Sequence, residues 1–191
     1  MKYIGPDFCN ITSLLSDEEL LIQKTANEFV AKEFLPVVNE YYEKGSFPKE
    51  LIGRMGDLGF FGATLPKKYG GSEISSAAYG LIMQELEKGD SGLRSVCSVQ
   101  GGLVMYPIFE YGSEEQKEKW LPKLAAGKAV GCFGLTESNH GSDPGGMTTK
   151  AVKDGDDWII NGSKMWITNG SIADVAVVWA KDEEGVVRGF L

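Results

Sequence analysis

The stretch "LAAGKAVGCFGLTESNHGSDPGG", residues 124–146, is where the sequence changes its period. Upstream, apolar residues recur at helical spacing. From Ala129 onward they alternate, with Gly131, Phe133 and Leu135 set against Cys132, Gly134 and Thr136, the pattern of a strand with one packed face. Gly127 stands where a helix would stop. The alternation then gives way to Glu137-Ser138-Asn139-His140-Gly141-Ser142-Asp143-Pro144-Gly145-Gly146, a run of turn formers and small hydroxyl side chains. Such a loop either turns the chain or lays its backbone against a ligand.

Working back from this boundary, the sequence reads as helices. Ser16-Asp17-Glu18-Glu19 is a capping box, with Glu19 placed to return the bond that the Ser16 hydroxyl accepts. The helix it opens carries Ile22, Ala26, Phe29, Val30 and Phe34 on one stripe before Pro36. Pro48 suits the first position of a second helix, buried through Leu51, Ile52, Met55 and Leu58 and stopped by Gly59. After a loop over 60–72, a third helix begins near Ser75 and ends near Gly89-Asp90, and a fourth carries Leu93 to Phe109. Ser113 with Gln116 caps a last one, packed through Trp120 and Leu124.

Downstream, the stretch from Trp158 to Ile167 predicts a hairpin turning at Asn161-Gly162, a pair that supplies the positive φ angles of a type I′ turn. Val175 to Ala180 predicts a buried strand, returned by Glu183-Glu184-Gly185 into Val186 to Leu191. The segregation predicts an α+β fold, an all-α helical domain over 1–128 followed by an antiparallel β domain over 129–191. "VVRGFL", residues 186–191, runs out inside an apolar strand; native sheets cover such edges, so the expectation is an incomplete unit.

Composition narrows the function classes. With 191 residues, 42% of them hydrophobic and 24% charged, the chain has the make-up of a soluble globular protein. A net charge of -8 argues against nucleic-acid binding, which needs a basic face. It does not exclude an anionic ligand, because backbone N–H groups or local cations can hold one. Cys9, Cys97 and Cys132 are too scattered for a disulfide framework or zinc site, so reduced thiols are expected. The single histidine, His140, makes no metal cluster, and no metal is expected. No apolar run reaches membrane-spanning length. MKYIGPDFCN has neither a signal-peptide core nor transit-peptide character, so the expectation is a cytoplasmic protein or a mature protein of the mitochondrial matrix. There is no dinucleotide fingerprint, P-loop or Gly-x-Ser-x-Gly elbow. Asp17-Glu18-Glu19, Glu114-Glu115 and Asp182-Glu183-Glu184 read as solvated helix starts and turns.

Two segments admit a chemical reading beside a bland one. In "ELEKGDSGLRS" (85–95), Arg94 with Ser95 and Ser98 groups a guanidinium and hydroxyls at a helix start, suited to a carboxylate. Its alternative is a surface ion pair with Glu87 or Asp90. In "KMWITNG" (164–170), Trp166 and Thr168 on one strand face suit a flat heteroaromatic cofactor, which needs stacking and edge hydrogen bonds. An ordinary core tryptophan would read the same way.

These segments come in a definite order with others: "LPKKYGG" (65–71), "ELEKGDSGLRS", "YGSEEQKEKWLPKLAAGK" (111–128), "GCFGLTESNHGSD" (131–143) and "NGSKMWITNG" (161–170). Together they resemble the acyl-CoA dehydrogenase family from about residue 16 to Leu191. "DSGLRSVCSVQGGLVMYPIFEYGSEEQ" (90–116) is most similar to its glutaryl-CoA dehydrogenase branch.

The resemblance implies an FAD enzyme with an N-terminal helical domain, a middle β-barrel domain and a C-terminal helical bundle. In that family a glutamate removes the Cα proton of an acyl-CoA thioester while the Cβ hydride passes to flavin N5. The resemblance implies cofactor contacts at Phe133, Leu135, Thr136, Gly141, Ser142, Trp166, Ile167 and Thr168, with Ser142 also beside the acyl-CoA. It implies that Arg94 binds the distal carboxylate of glutaryl-CoA, helped by Glu87, Ser95 and Ser98. The implied partners are the acyl-CoA substrate, an electron-transfer flavoprotein as acceptor, and further copies of the chain in a tetramer. Ser138 and His140 stand where the family loop commonly has a proline and a small residue. The family's catalytic glutamate lies in the C-terminal bundle, which nothing here matches, so the base is unassigned. The alternatives are a dehydrogenase or oxidase of another short-chain acyl-CoA, a non-catalytic flavin- or CoA-binding or interaction fragment, and an inert remnant. Whether oxidation continues to decarboxylation, giving crotonyl-CoA, is left open.

Overall fold

Both capping boxes form. In the computed structural model, which describes residues 7–191, Ser16 Oγ accepts the Glu19 amide and the Glu19 carboxylate accepts the Ser16 amide at 3.0 Å. This starts α1 (Asp17–Phe29), which continues as a π-helix over Val30–Phe34. A short α2 (Val38–Glu43) follows Pro36, an element the periodicity does not show because its six residues bury no side chain fully. The next helix, α3 (Glu50–Asp57), begins after Pro48, whose carbonyl accepts from Leu51 N at 3.0 Å. Ser75 caps α4 (Ser76–Gly89), and the Asp90 carboxylate caps α5 (Ser91–Ser98). The run then widens into a π-helix over Val99–Met105 before α6 (Tyr106–Tyr111). The Ser113–Gln116 box opens α7 (Glu114–Ala125).

The apolar stripes read from the sequence meet in one core. Phe29, Met55, Phe60, Leu86, Leu93, Met105, Leu121 and Leu124 are all buried within it. Phe29 and Phe60 pack edge to face at 5.7 Å, and each such side chain contributes roughly 1.5–3 kcal/mol by leaving water. A buried carboxylate among them is satisfied: Glu85 on α4 accepts from Gln23 at 3.0 Å, Asn27 at 2.9 Å and Lys88 at 2.6 Å, tying α1 to α4.

The strands are β1 (Gly131–Gly134), β2 (Lys150–Asp154), β3 (Asp157–Asn161), β4 (Val175–Lys181) and β5 (Val187–Phe190), joined in one five-stranded sheet. The sheet is mixed rather than antiparallel throughout. The pairs β2–β3 and β4–β5 are antiparallel hairpins, but β1 runs parallel to β4, with Gly131 opposite Val175 and Gly134 opposite Val178. The reason is topological. Parallel neighbours need a crossover connection, and the β2–β3 hairpin with its flanking loops supplies it between β1 and β4. Short apolar strands carry no mark of the direction in which they will pair.

The predicted hairpin turn is also corrected. Asn161-Gly162 ends β3, and the turn lies earlier, at Gly155-Asp156 between the paired Asp154 and Asp157, with Gly155 at φ +61°. Residues after Gly162 are engaged elsewhere: the Met165 amide donates to Thr136 O at 2.8 Å, and Lys164 reaches Glu137 at 2.9 Å. They cannot fold back on β3, so Trp166 and Thr168 do not lie on a strand face.

One side chain joins helices to sheet. Gln100, 1% exposed in the π-helical run, donates to Leu124 O at 3.0 Å and Ala129 O at 2.8 Å and accepts from Gly131 N at 2.8 Å. Beside it Gly131 is packed so closely that a Cβ there would lie 2.4 Å from Val104 Cγ1. Gln100→Leu keeps the volume but strips these partners. Urea unfolding is expected to show a loss of about 2–4 kcal/mol, since each buried polar group left unpaired costs about 1–3 kcal/mol; a loss below about 1 kcal/mol would mean that water replaces the amide.

Candidate functional site

Beyond the end of β1 two segments distant in sequence are stitched together. Met165 N donates to Thr136 O at 2.8 Å, Lys164 Nζ to Leu135 O at 3.0 Å, and Asn169 Nδ2 to Gly131 O at 3.1 Å. Residues 133–136 and 164–169 therefore share one neighbourhood. Between these ties stands Trp166, 86% exposed and at φ +60°. A side chain of that size in the left-handed region costs on the order of 1–2 kcal/mol, and such strain persists only where the surroundings hold it.

Hydroxyls here and on the loop that follows are unspent. Among the described residues, no protein group engages the hydroxyls of Thr136, Ser142 or Thr168. Gly141 and Ser142 lie exposed on the loop after β1. Nothing in the protein demands glycine at 141, since a Cβ there would meet no atom within 4 Å. Phe133 is half-buried on β1 with its ring edge-on to Trp179 at 6.1 Å, and Ile167 is half-buried beside the exposed indole.

Behind the loop lies a cluster that the sequence reading missed. Glu137, 5% exposed, accepts from Thr148 N and Oγ1, both at 2.7 Å, from Thr149 N at 3.0 Å, from the Thr149 hydroxyl, and from Lys164 Nζ at 2.9 Å. Burial by itself would raise its pKa, but the Thr149, Thr148 and Lys164 bonds outweigh it and hold the carboxyl well below the usual range. In sequence Glu137 sits in a turn-rich run and Lys164 follows Ser163, 27 residues on; only the folded chain brings them together.

Apart from this loop, Arg94 forms the ion pair with Glu87 that stood as the alternative reading. Arg94 Nε donates to Glu87 at 2.6 Å and Nη1 to Ser98 Oγ at 3.1 Å, while Ser91 Oγ donates to Glu87 at 2.7 Å. The Arg94 guanidinium, then the Ser91 hydroxyl, lowers the Glu87 pKa. Ser95 contributes only its carbonyl, which accepts from Ser98 Oγ at 3.2 Å. The side chain of Arg94 is 36% exposed. Among the described residues no hydrogen bond or ion pair joins this cluster to the 133–142 loop; the link is the helical run from α5 to Val104, which packs on Gly131. No group of His, Cys, Asp and Glu among the described residues is arranged to hold a metal ion. Likewise no helix of these residues is long and apolar enough to cross a membrane.

Comparison with known proteins now decides the family. Residues 16–128 match the acyl-CoA dehydrogenase N-terminal domain, and residues 132–191 match the acyl-CoA dehydrogenase middle domain. The chain belongs to the acyl-CoA dehydrogenase family. It is 40% identical over 184 residues to the probable acyl-CoA dehydrogenase YngJ of Bacillus subtilis (strain 168), covering 93% of this chain and 48% of that one. To the human mitochondrial short-chain specific acyl-CoA dehydrogenase it is 34% identical over 172 residues, or 90% of this chain and 42% of the relative. The crystal structure of a glutaryl-CoA dehydrogenase from Mycobacterium smegmatis in complex with FADH2 superimposes with a TM-score of 0.93 at 50% identity, over 96% of this chain and 47% of that one. The chain thus spans about half the length of these acyl-CoA dehydrogenases, or somewhat less.

The Glu137 cluster makes a pH prediction with a definite sign. A carboxylate whose folded pKa is depressed stabilises fully above its unfolded value, about 4.3, and loses that contribution as pH falls towards the folded value. Glu137→Gln is therefore expected to lower the thermal midpoint at pH 7, and the gap to wild type is expected to narrow, without closing, as pH falls below about 4.3 towards 3. A gap that stays constant from pH 7 to pH 3 would show that the ionised carboxylate is not the stabilising species.

Proposed function

We propose that this chain supplies the flavin- and acyl-CoA-binding part of an FAD-dependent acyl-CoA dehydrogenase, and that its substrate is glutaryl-CoA. The observation that carries the reading is Trp166, an exposed indole held in a left-handed backbone beside two unengaged threonine hydroxyls, Thr136 and Thr168. An exposed flat ring with unengaged hydroxyls on the adjoining segments suits a flavin, which is bound by stacking and by hydrogen bonds to its polar edge. Phe133, Leu135, Gly141, Ser142 and Ile167 complete the wall, and the steric freedom at Gly141 leaves room for a ligand close to the backbone. When bound, FAD supplies the two-electron acceptor for Cα–Cβ oxidation. The protein's share is to seat the ring on Trp166, offer hydroxyl donors to it and present the acyl chain.

Arg94 supports the dicarboxylic substrate. Of its five N–H groups, one is given to Glu87 and one to Ser98, leaving three for a carboxylate. Glu87 is held ionised and orients the guanidinium, while Ser95 and Ser98 border it. The similarity to the Mycobacterium smegmatis glutaryl-CoA dehydrogenase favours the same substrate. A second reading, a plain short-chain acyl-CoA, is favoured by the Arg94–Glu87 pair itself, which already gives the guanidinium a carboxylate at 2.6 Å. The proton-abstracting glutamate belongs, by family resemblance, to a C-terminal bundle, so no residue here takes that role. Electron-transfer flavoprotein as acceptor and assembly as a tetramer complete the proposal.

The test begins with added FAD: the chain is expected to acquire a flavin absorption spectrum and to quench Trp166 fluorescence. A chain that ignores FAD overturns the reading. Arg94→Ala and Arg94→Lys are then expected to weaken glutaryl-CoA binding about 10- to 100-fold, since a charge-assisted hydrogen bond contributes about 1.5–3 kcal/mol. FAD affinity is expected to stay within about twofold, because these substitutions leave the flavin wall untouched. Equal losses of both ligands, or equal loss for butyryl-CoA and glutaryl-CoA, would remove Arg94 from the specificity role.

A further inference from the structure

We propose that Lys164 and Glu137 are a positioning pair, which sets the backbone of residues 164–168 so that Trp166 and Thr168 face the flavin. The proposal rests on the flavin reading above. It adds two residues outside the proposed cofactor wall.

The argument starts from the cost of the arrangement. Lys164 is 11% exposed and Glu137 5% exposed at their side chains, so both charges are largely out of water. Such a pair is weak evidence for stability by itself, because desolvation offsets much of the attraction. Here the pair is over-satisfied. Glu137 receives both amides and both hydroxyls of Thr148 and Thr149 besides the ammonium. Lys164 in turn donates to the Leu135 carbonyl at 3.0 Å. The ammonium therefore bridges the carboxylate at 137 and the backbone at 135, on either side of Thr136.

The consequence falls on Trp166, two residues after Lys164. On its N-terminal side the segment is held by the Lys164 side chain and by the Met165 amide on Thr136 O. On its C-terminal side it is held by Asn169 on Gly131 O at 3.1 Å. Trp166 lies between these ties in a left-handed conformation that its own side chain disfavours. Without the ammonium, the Met165 bond is the one hydrogen bond among the described residues left to hold residues 164–165 to the 135–137 segment. Trp166 would then be free to leave the left-handed setting in which residues 164–168 are held beside residues 135–136. Thr148-Thr149, just before β2, hold Glu137 from behind, so the pair cannot move with the segment it anchors.

The test uses the 191-residue chain with Lys164→Met, Glu137→Gln and Lys164→Arg. In the FAD-free protein, hydrogen exchange at the Met165 amide is expected to be at least tenfold faster in Lys164→Met and Glu137→Gln. Amides of β1 and β4 are expected to keep wild-type protection. With FAD, affinity in these two variants is expected to fall at least tenfold, with weaker quenching of Trp166, and Lys164→Arg is expected to recover part of both. Unchanged Met165 exchange, or unchanged FAD affinity where wild type binds FAD, overturns the proposal. Uniform loss of protection across β1 and β4 also overturns it, by assigning the pair to folding alone. If the wild-type chain takes up no FAD, the flavin reading fails, and with it the positioning role, even where faster Met165 exchange shows the tie itself to exist.

Discussion

The arrangement of helices against sheet depends on one buried amide. Gln100 sits where the long helical run has widened to π geometry, and its side chain satisfies backbone groups from the end of α7, from Ala129 and from the first residue of β1. Buried backbone groups must find partners, and a carboxamide offers an acceptor and two donors in one plane. Here that capacity is used to fix where β1 starts. Asp174 then extends the constraint, accepting from Val130 N at 2.8 Å through its side chain while its amide donates to Val130 O at 2.7 Å, which sets β4 beside β1. Residues 133–136 and 164–169, the greater part of the proposed flavin wall, are tied to this end of the sheet.

Two ion pairs lie near the proposed chemistry and behave oppositely because their surroundings differ. Glu137–Lys164 is buried and hydrogen-bonded on every side, so neither partner can exchange its bonds for water without leaving the other uncompensated. That makes it suited to holding backbone. Arg94–Glu87 is about one-third to one-half exposed, with three guanidinium N–H groups uncommitted. An exposed pair is worth little in stability. Position in the fold, rather than residue type, makes the two pairs differ in burial and in bonding.

Much of the helical half was legible because its signals are local. Ser16 with Glu19 and Ser113 with Gln116 mark helix starts through bonds made within a single turn, and Ser75 and Asp90 act in the same way. Apolar spacing identified the buried stripes, since a helix face follows from its period alone. The quoted change of period at Gly127–Val130 marked the passage from helix to strand for the same reason. The order of short motifs, from "LPKKYGG" to "NGSKMWITNG", carried the family resemblance, which the domain matches then supported. Short-range rules failed where the deciding partner was remote. The Asn161-Gly162 signal was overruled because Lys164 and Met165 are claimed by Glu137 and Thr136. The parallel pairing of β1 with β4 spans more than forty residues (131 to 175) and leaves no trace in either strand's composition.

The sequence by itself did not show the short α2 or the π-helical runs. It determined the longer helices and the Ser16 and Ser113 capping boxes, most of the apolar faces that form the core, and the family to which the chain belongs. These depend on residues close together along the chain, or on motifs read in order. The tertiary structure decided the strand directions, the true turn at Gly155-Asp156, the left-handed setting of Trp166 and the buried Glu137–Lys164 pair. The physical reason is the same in each case. A charge or a backbone amide chooses its partner by distance and by exclusion from water, and both are set only when segments remote in sequence have packed together.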